Sequence, residues 1–159
     1  MKIINKYISR NYEIKDKFEA GLVLFGPEVK SCKLGQVNFK GAYCGLGEGA
    51  REGFESTGIQ NLFLKNFYIA PYPPAKREQQ NYNPNRPRKL LLKRKELDYL
   101  LGKSKEKRIT IVPLRIYTKS GFVKVEIATA QGLKKYDKRE KIKEKEFRRR
   151  KQRILRIKN

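Results

Sequence analysis

Two carboxylates three residues apart, Asp137 and Glu140 in "YDKRE", are the first place in this chain where residue types and spacing could do chemistry. Paired acids can hold Mg²⁺ for phosphoryl transfer, but that chemistry needs several carboxylates converging on a rigid site. The same pair fits a helix start, with Asp137 as N-cap and Glu140 three residues on, a variant of the capping box at the positive end of a helix. The pair stands among lysines and arginines, which favours the helix start. The two cysteines, Cys32 and Cys44, are separated by eleven residues, which is no zinc spacing, and there is no histidine to complete a mixed cluster. Reduced, separately packed thiols are expected. Without histidine, acid–base chemistry would fall to Glu, Asp, Lys, Tyr or Cys. The glycines of Gly45–Gly53 lack the lysine and hydroxyl of a phosphate-binding loop. These residues point away from an enzyme and away from a bound metal or cofactor.

Charge points toward a partner instead. Lys and Arg number 39 against 16 Asp and Glu, a formal charge of +23. Self-repulsion on this scale works against a compact chain unless a polyanion answers it. Nucleic acid uses such charge directly, through phosphate neutralisation and counterion release. An anionic membrane surface is the alternative on charge alone. No run of 18 or more apolar residues occurs, and "MKIINKYISRNYEIK" lacks the apolar stretch of a signal peptide, so a soluble, cytoplasmic protein with no membrane partner is expected. Tyrosine and phenylalanine, nine and eight in number, interleave with basic residues in "NKYISRNY" and "KKYDKR". Aromatic stacking beside phosphate-binding lysines is how single-stranded or looped RNA is held. Phe25, Phe63 and Phe67 are instead expected in the core.

The elements that must position these residues read mainly as strands. "FEAGLVLFG" (18–26), "QVNFKGAYC" (36–44) and "NLFLKNFYIA" (61–70) are apolar runs bounded by glycine or proline. "RITIVPLRIYT" (108–118) alternates, then shifts phase at Pro113, which predicts an edge or a bulge. The turn "TKSG" leads into "FVKVEIATAQG", with Val123, Val125 and Ile127 on one face and Lys124 and Glu126 on the other. Two helices are predicted: "GPEVKSCKLG" (26–35), and "RPRKLLLKRKELDYLLGK", starting at Pro87, with Leu90, Leu97 and Leu101 on its apolar face, Arg88, Lys89, Lys93, Arg94 and Lys95 on the other, and Gly102 closing it. The long polar stretch 70–88 reads as an exposed loop, and Gly45–Gly58 as a flexible hairpin tip. Short strands with no βαβ alternation predict a mainly β, OB-fold-like antiparallel barrel with two to three helices.

The domain boundary is expected at 130/131. The last 29 residues carry fourteen Lys or Arg and four Asp or Glu, with few apolar residues in only a loose band. Such a segment buries too little to offset an ordering entropy of about 1–2 kcal/mol per residue. It is expected to be disordered alone and helical when bound, helped by the Glu144–Arg148 and Glu146–Arg150 pairs.

"NKYISRNYEI", "FEAGLVLFGPEVKSCKLGQVNFKGAY", "RPRKLLLKRKEL", "KEKRITIVPLRIY", "KVEIATAQG" and "YDKRE" together resemble the SmpB family, the SsrA-binding (tmRNA-binding) proteins of bacteria. The motifs occur in the family's order across nearly the whole chain. The resemblance implies a barrel that binds the tRNA-like domain of tmRNA, delivers alanyl-tmRNA with elongation factor Tu to the empty A site of a stalled ribosome, and stands in for the missing codon–anticodon pairing. It implies a monomer whose tail senses the vacant mRNA channel. By the same resemblance, Asn5, Glu19, Lys30, Leu91, Lys93 and Lys124 meet tmRNA, with Lys93 standing where the family usually has His or Asn. Gly132 matches a hinge glycine. Lys134, Lys135, Tyr136, Asp137, Lys138 and Arg139, with the apolar pair Ile154 and Leu155, meet the decoding centre and mRNA channel. Two departures stand out: the longer glycine-rich insert, and Arg108 where glycine is common. A structural ribosomal protein with a barrel and a basic extension is the alternative reading, and a Mg²⁺-dependent nuclease using Asp137 or Glu19 a third.

Overall fold

A computed structural model of the protein describes residues 1–47 and 61–133, together with Phe147. The expected tail helix, the tail site residues from Lys134 onward, and the glycine-rich insert beyond Gly47 lie outside the described residues. Nine strands are described: β1 (Lys2–Ile4), β2 (Tyr12–Leu22), β3 (Val37–Asn38), β4 (Tyr43–Leu46), β5 (Leu62–Lys65), β6 (Tyr68–Ile69), β7 (Arg88–Leu91), β8 (Ile109–Lys119) and β9 (Phe122–Gly132). The helices are α1 (Ile8–Asn11), α2 (Gly26–Lys33) and α3 (Arg94–Ser104), with a 3₁₀ segment at Pro73–Gln79. The main sheet runs β1-β8-β4-β5-β7-β2-β9, all antiparallel, and the β8–β9 pairing closes it into the expected OB-like barrel. Closure matters because it leaves no long unpaired edge among the described strands.

β8 and β9 form the predicted hairpin. Ser120 and Gly121 both have positive φ, 49° and 82°, and Lys119 faces Phe122 across a two-residue turn whose twist suits the strands. Val123, Val125 and Ile127 are buried, as the alternation requires. The predicted bulge is present, since the β8–β9 register shifts between Pro113 and Arg115. Asn5 braces it. Its Nδ2 donates to the Pro113 carbonyl at 2.9 Å, its backbone N–H to the Leu114 carbonyl at 2.8 Å, and its Oδ1 accepts the Tyr7 N–H at 3.1 Å. Arg108 has φ 72°, a left-handed conformation costing a non-glycine residue about 1–2 kcal/mol.

Several expectations are corrected. "QVNFKGAYC" is two strands, because Gly41 at φ 75° turns the chain between β3 and β4. "NLFLKNFYIA" is likewise broken into β5 and β6 at Asn66, φ 53°. The helix expected from Pro87 starts only at Arg94. Residues 88–91 form β7 instead, pairing with both β2 and β5, so that Leu90 enters the barrel core and Arg88 is buried, not solvated. Gly102 lies inside α3, and the buried pair on that helix is Leu97 and Leu100. Phe63 and Phe67 are in the core, but Phe25 is exposed, its ring lying 4.1 Å under the Arg86 guanidinium.

The burial of Arg88 has a specific cause. Glu28, on α2, is also buried and accepts from Arg88 Nε at 3.0 Å and Nη2 at 2.8 Å. Arg86 adds its Nε at 2.9 Å and an Nη2 ion pair, Tyr82 its hydroxyl at 3.1 Å, and the Phe25 N–H a capping bond at 2.8 Å. Arg88 also donates to the carbonyls of Phe67, Arg86 and Pro84. The stretch 70–88, expected to be an exposed loop, therefore supplies, at its C-terminal end, partners to a buried carboxylate. Burial pushes the Glu28 carboxyl up, but the Arg86 and Phe25 hydrogen bonds and the two guanidinium charges outweigh it and leave it below its usual 4.5.

Glu28→Gln leaves two guanidiniums without a counter-charge and should destabilise the barrel by about 3–5 kcal/mol in urea unfolding; a loss under about 1 kcal/mol would contradict this. The folded carboxyl titrates below the unfolded one, so its contribution is complete above pH 4.5 and is lost as pH falls through the folded value. The variant should therefore lose less stability than the wild type on acidification below pH 4.5.

Candidate nucleic-acid interface

In an antiparallel sheet, directly paired residues project to the same side. Applied across five strands, that rule builds a row from Lys2 on β1 through Tyr117 on β8, Lys124 on β9 and Gly21 on β2 to Leu91 on β7. The adjacent row on the same side holds Ile4, Arg115, Glu126 and Glu19. The row between them, Ile3, Ile116, Val125 and Ala20, turns inward and forms core. Glu19, Leu91 and Lys124, far apart in sequence, thus meet on one outer face of the barrel.

Glu19 organises this face. Its carboxylate accepts from Lys124 Nζ and the Tyr117 hydroxyl, with Lys119 Nζ 3.7 Å away. The Lys124 and Tyr117 hydrogen bonds, with the Lys119 charge behind them, hold its carboxyl down at about 2, so it is anionic at any physiological pH. Partial burial, followed by the Glu19 bond, pushes the Tyr117 hydroxyl up to about 12, so Tyr117 remains a donor. Arg115 and Glu126 form a second ion pair across β8 and β9. The two acids hold the cations in a fixed pattern on an otherwise strongly basic protein.

Gly21 shapes the far end of the row. A Cβ there would come within 3.3 Å of the Leu91 Cβ, so glycine leaves room for Leu91, which is 55% exposed, to stand over β2. Two residues on, Lys93 is exposed at the N-cap of α3, its N–H bonded to Glu96 Oε2 at 3.1 Å. Lys93 thus follows the β7 end of the row at a fixed backbone position.

The remaining sequence-expected residues lie elsewhere. Lys30 is exposed on α2, its ammonium 5.2 Å from the Tyr72 ring, and α2 packs against β6. Asn5 is buried, with its side chain committed to the Pro113 bulge and Tyr7. Gly132 closes β9 opposite Tyr12, and a Cβ there would meet nothing within 4 Å. Pairing runs past the expected 130/131 boundary, with the Leu133 N–H bonded to the Asn11 carbonyl at 3.0 Å.

Lys2, Gly21, Tyr117, Lys119 and Phe122 join this face without having been singled out in the sequence. The alternation parity of β8 and β9 carries that signal for Tyr117, Lys119 and Phe122. For Lys2 and Gly21 it needs the strand pairing. Neither cysteine offers chemistry: both are free and buried, and burial pushes the Cys32 thiol to about 12 and that of Cys44 still higher. Among the described residues, no group of three or more His, Cys, Asp or Glu could hold a metal ion.

Comparison with known proteins identifies the family of the chain. A family model described as SmpB protein matches residues 2–157. The SsrA-binding protein of Geobacillus thermodenitrificans is 43% identical over 152 residues, covering 96% of this chain and 90% of the relative. That of a Sulfurihydrogenibium species is 47% identical over 145 residues, covering 91% and 87%. A solved structure described as "tmRNA-SmpB: a journey to the center of the bacterial ribosome" contains a chain 40% identical to this one. The two superpose with a TM-score of 0.64 over 84% of this chain and 85% of that one. The chain belongs to the SmpB family.

Proposed function

We propose that this protein is an RNA-binding adaptor of trans-translation, not an enzyme: it binds the tRNA-like domain of tmRNA and brings it to stalled ribosomes. The observation that carries this reading is the outer face on which Glu19, Lys124, Tyr117 and Leu91 converge. A-form RNA hides its base edges in a deep, narrow groove, so such a face grips by shape, phosphate and 2′-hydroxyl contacts. Lys124 and Lys119, aligned by Glu19, supply phosphate contacts, and the Glu19 carboxylate is an acceptor for a ribose hydroxyl or an exposed base N–H. Leu91 supplies an apolar ledge against a sugar or base.

The same proposal extends to the tail. Residues 131–159 read the ribosome's state: Tyr136, Asp137, Lys138 and Arg139, with Lys134 and Lys135, meet the decoding centre, and Ile154 and Leu155 dock in the empty mRNA channel. Gly132, the last residue of β9, is the hinge of this reading. Elongation factor Tu carries the alanyl-tmRNA complex, and the adaptor works as a monomer in the cytoplasm. Among the described residues no helix is long and apolar enough to cross a membrane.

Affinity for the tRNA-like domain should fall steeply with salt for the wild type. Glu19→Gln adds net positive charge, so bulk electrostatics alone predicts tighter binding. The positioning role predicts binding weaker by about tenfold at every salt concentration, as expected for losing charge-assisted hydrogen bonds. Equal or tighter binding by the variant would contradict that role.

Ending the chain after Leu133 keeps every described strand. This form should bind the tRNA-like domain with near wild-type affinity and fail to support peptide tagging on stalled ribosomes. Full tagging by the shortened chain would overturn the division of labour between barrel and tail.

A further inference from the structure

Phe122 is 74% exposed, the highest value of any large hydrophobic side chain described. The core does not need it, since Val123 beside it fills the inward position. Single exposed apolar residues are common and carry no meaning by themselves. This one has a defined place. It pairs with Lys119 across the hairpin turn, and strand alternation sets it two residues from Lys124, on the same outer face as Glu19 and Leu91. The two left-handed turn residues, Ser120 and Gly121, fix the end of the strand from which the ring projects.

We propose that Phe122 is a stacking platform for an unpaired base of the RNA held on this face. A flat ring next to an exposed ammonium offers the two contacts a looped-out nucleotide takes: a π-face for the base and a cation for its phosphate. Lys119, with a side chain 60% exposed, supplies the cation. Charge complementarity favours RNA over an apolar partner, because the ring's neighbours on the face are Lys119 and Lys124. Paired bases within a duplex present no free face to it, so the ligand is a loop or end nucleotide of a folded RNA. The inference rests on the proposed tmRNA reading and adds to it a residue that discriminates looped from fully paired RNA.

The chain has no tryptophan, so Phe122→Trp places a single fluorescent reporter at the turn. In the full-length protein its emission should be quenched on saturation with the tRNA-like domain of tmRNA, and not on saturation with a perfectly paired RNA duplex. Phe122→Ala and Phe122→Leu should each weaken binding of the tRNA-like domain about tenfold, and the Trp variant should bind at least as tightly as the wild type. Leucine retains apolar surface without a flat face, so wild-type affinity in Phe122→Leu overturns stacking. Unquenched emission in the saturated complex does the same. A wild type that fails to bind the tRNA-like domain would overturn the tmRNA reading itself. A wild type that binds beside an equally tight Phe122→Ala would overturn this inference alone.

Discussion

One buried carboxylate holds the barrel's parts in register. Glu28 accepts six hydrogen bonds, from the Phe25 N–H, the Tyr82 hydroxyl, and two donors each of Arg86 and Arg88. Those donors lie at the start of α2, in the connection before β7, and on β7 itself. Ionised groups are expensive to remove from water, and that expense is offset only when every donor and acceptor finds a partner. Arg88 meets the condition through Glu28, Tyr82 and three backbone carbonyls. A slip of β7 by one residue would point Arg88 outward and carry Leu91 into the barrel. The network therefore fixes which side of β7 faces solvent, and so places Leu91 on the outer face.

The outer face shows how a protein of charge +23 avoids being a featureless basic surface. Unorganised lysines attract any polyanion and distinguish little. Here Glu19 and Glu126 sit among the cations and fix where Lys124, Lys119, Arg115 and Tyr117 point. An acid on such a face looks unfavourable by simple charge counting. On the proposed reading its value is pre-organisation, because side chains already held in place lose less freedom on binding RNA.

Legibility in the sequence followed the range of the interactions. The β8–β9 hairpin and its bulge were readable because alternation, the turn residues and Pro113 are local signals. The segment 87–104 misled because Leu90, Leu97 and Leu101 keep helical spacing, while pairing with β2 and β5, and the pull of Glu28 on Arg88, are non-local and decide for a strand. Gly41 and Asn66 broke expected strands through left-handed turns that their flanking apolar residues hid. The convergence of Glu19, Leu91 and Lys124 came from motif resemblance, and only the register explains it physically. The place of Tyr117, Lys119 and Phe122 on that face was available from parity alone, once Val123, Val125 and Ile127 were assigned inward.

On the proposed reading, RNA lies across the outer face of β1, β8, β9, β2 and β7. Lysine-acetylation footprinting of the full-length protein, with and without the tRNA-like domain of tmRNA, tests it most directly. Lys2 and Lys119 should be protected in the complex, while Lys40, on the turn before β4, and Lys105, at the end of α3, should react as in the free protein. Protection of Lys40 or Lys105 with Lys2 and Lys119 left reactive would contradict it.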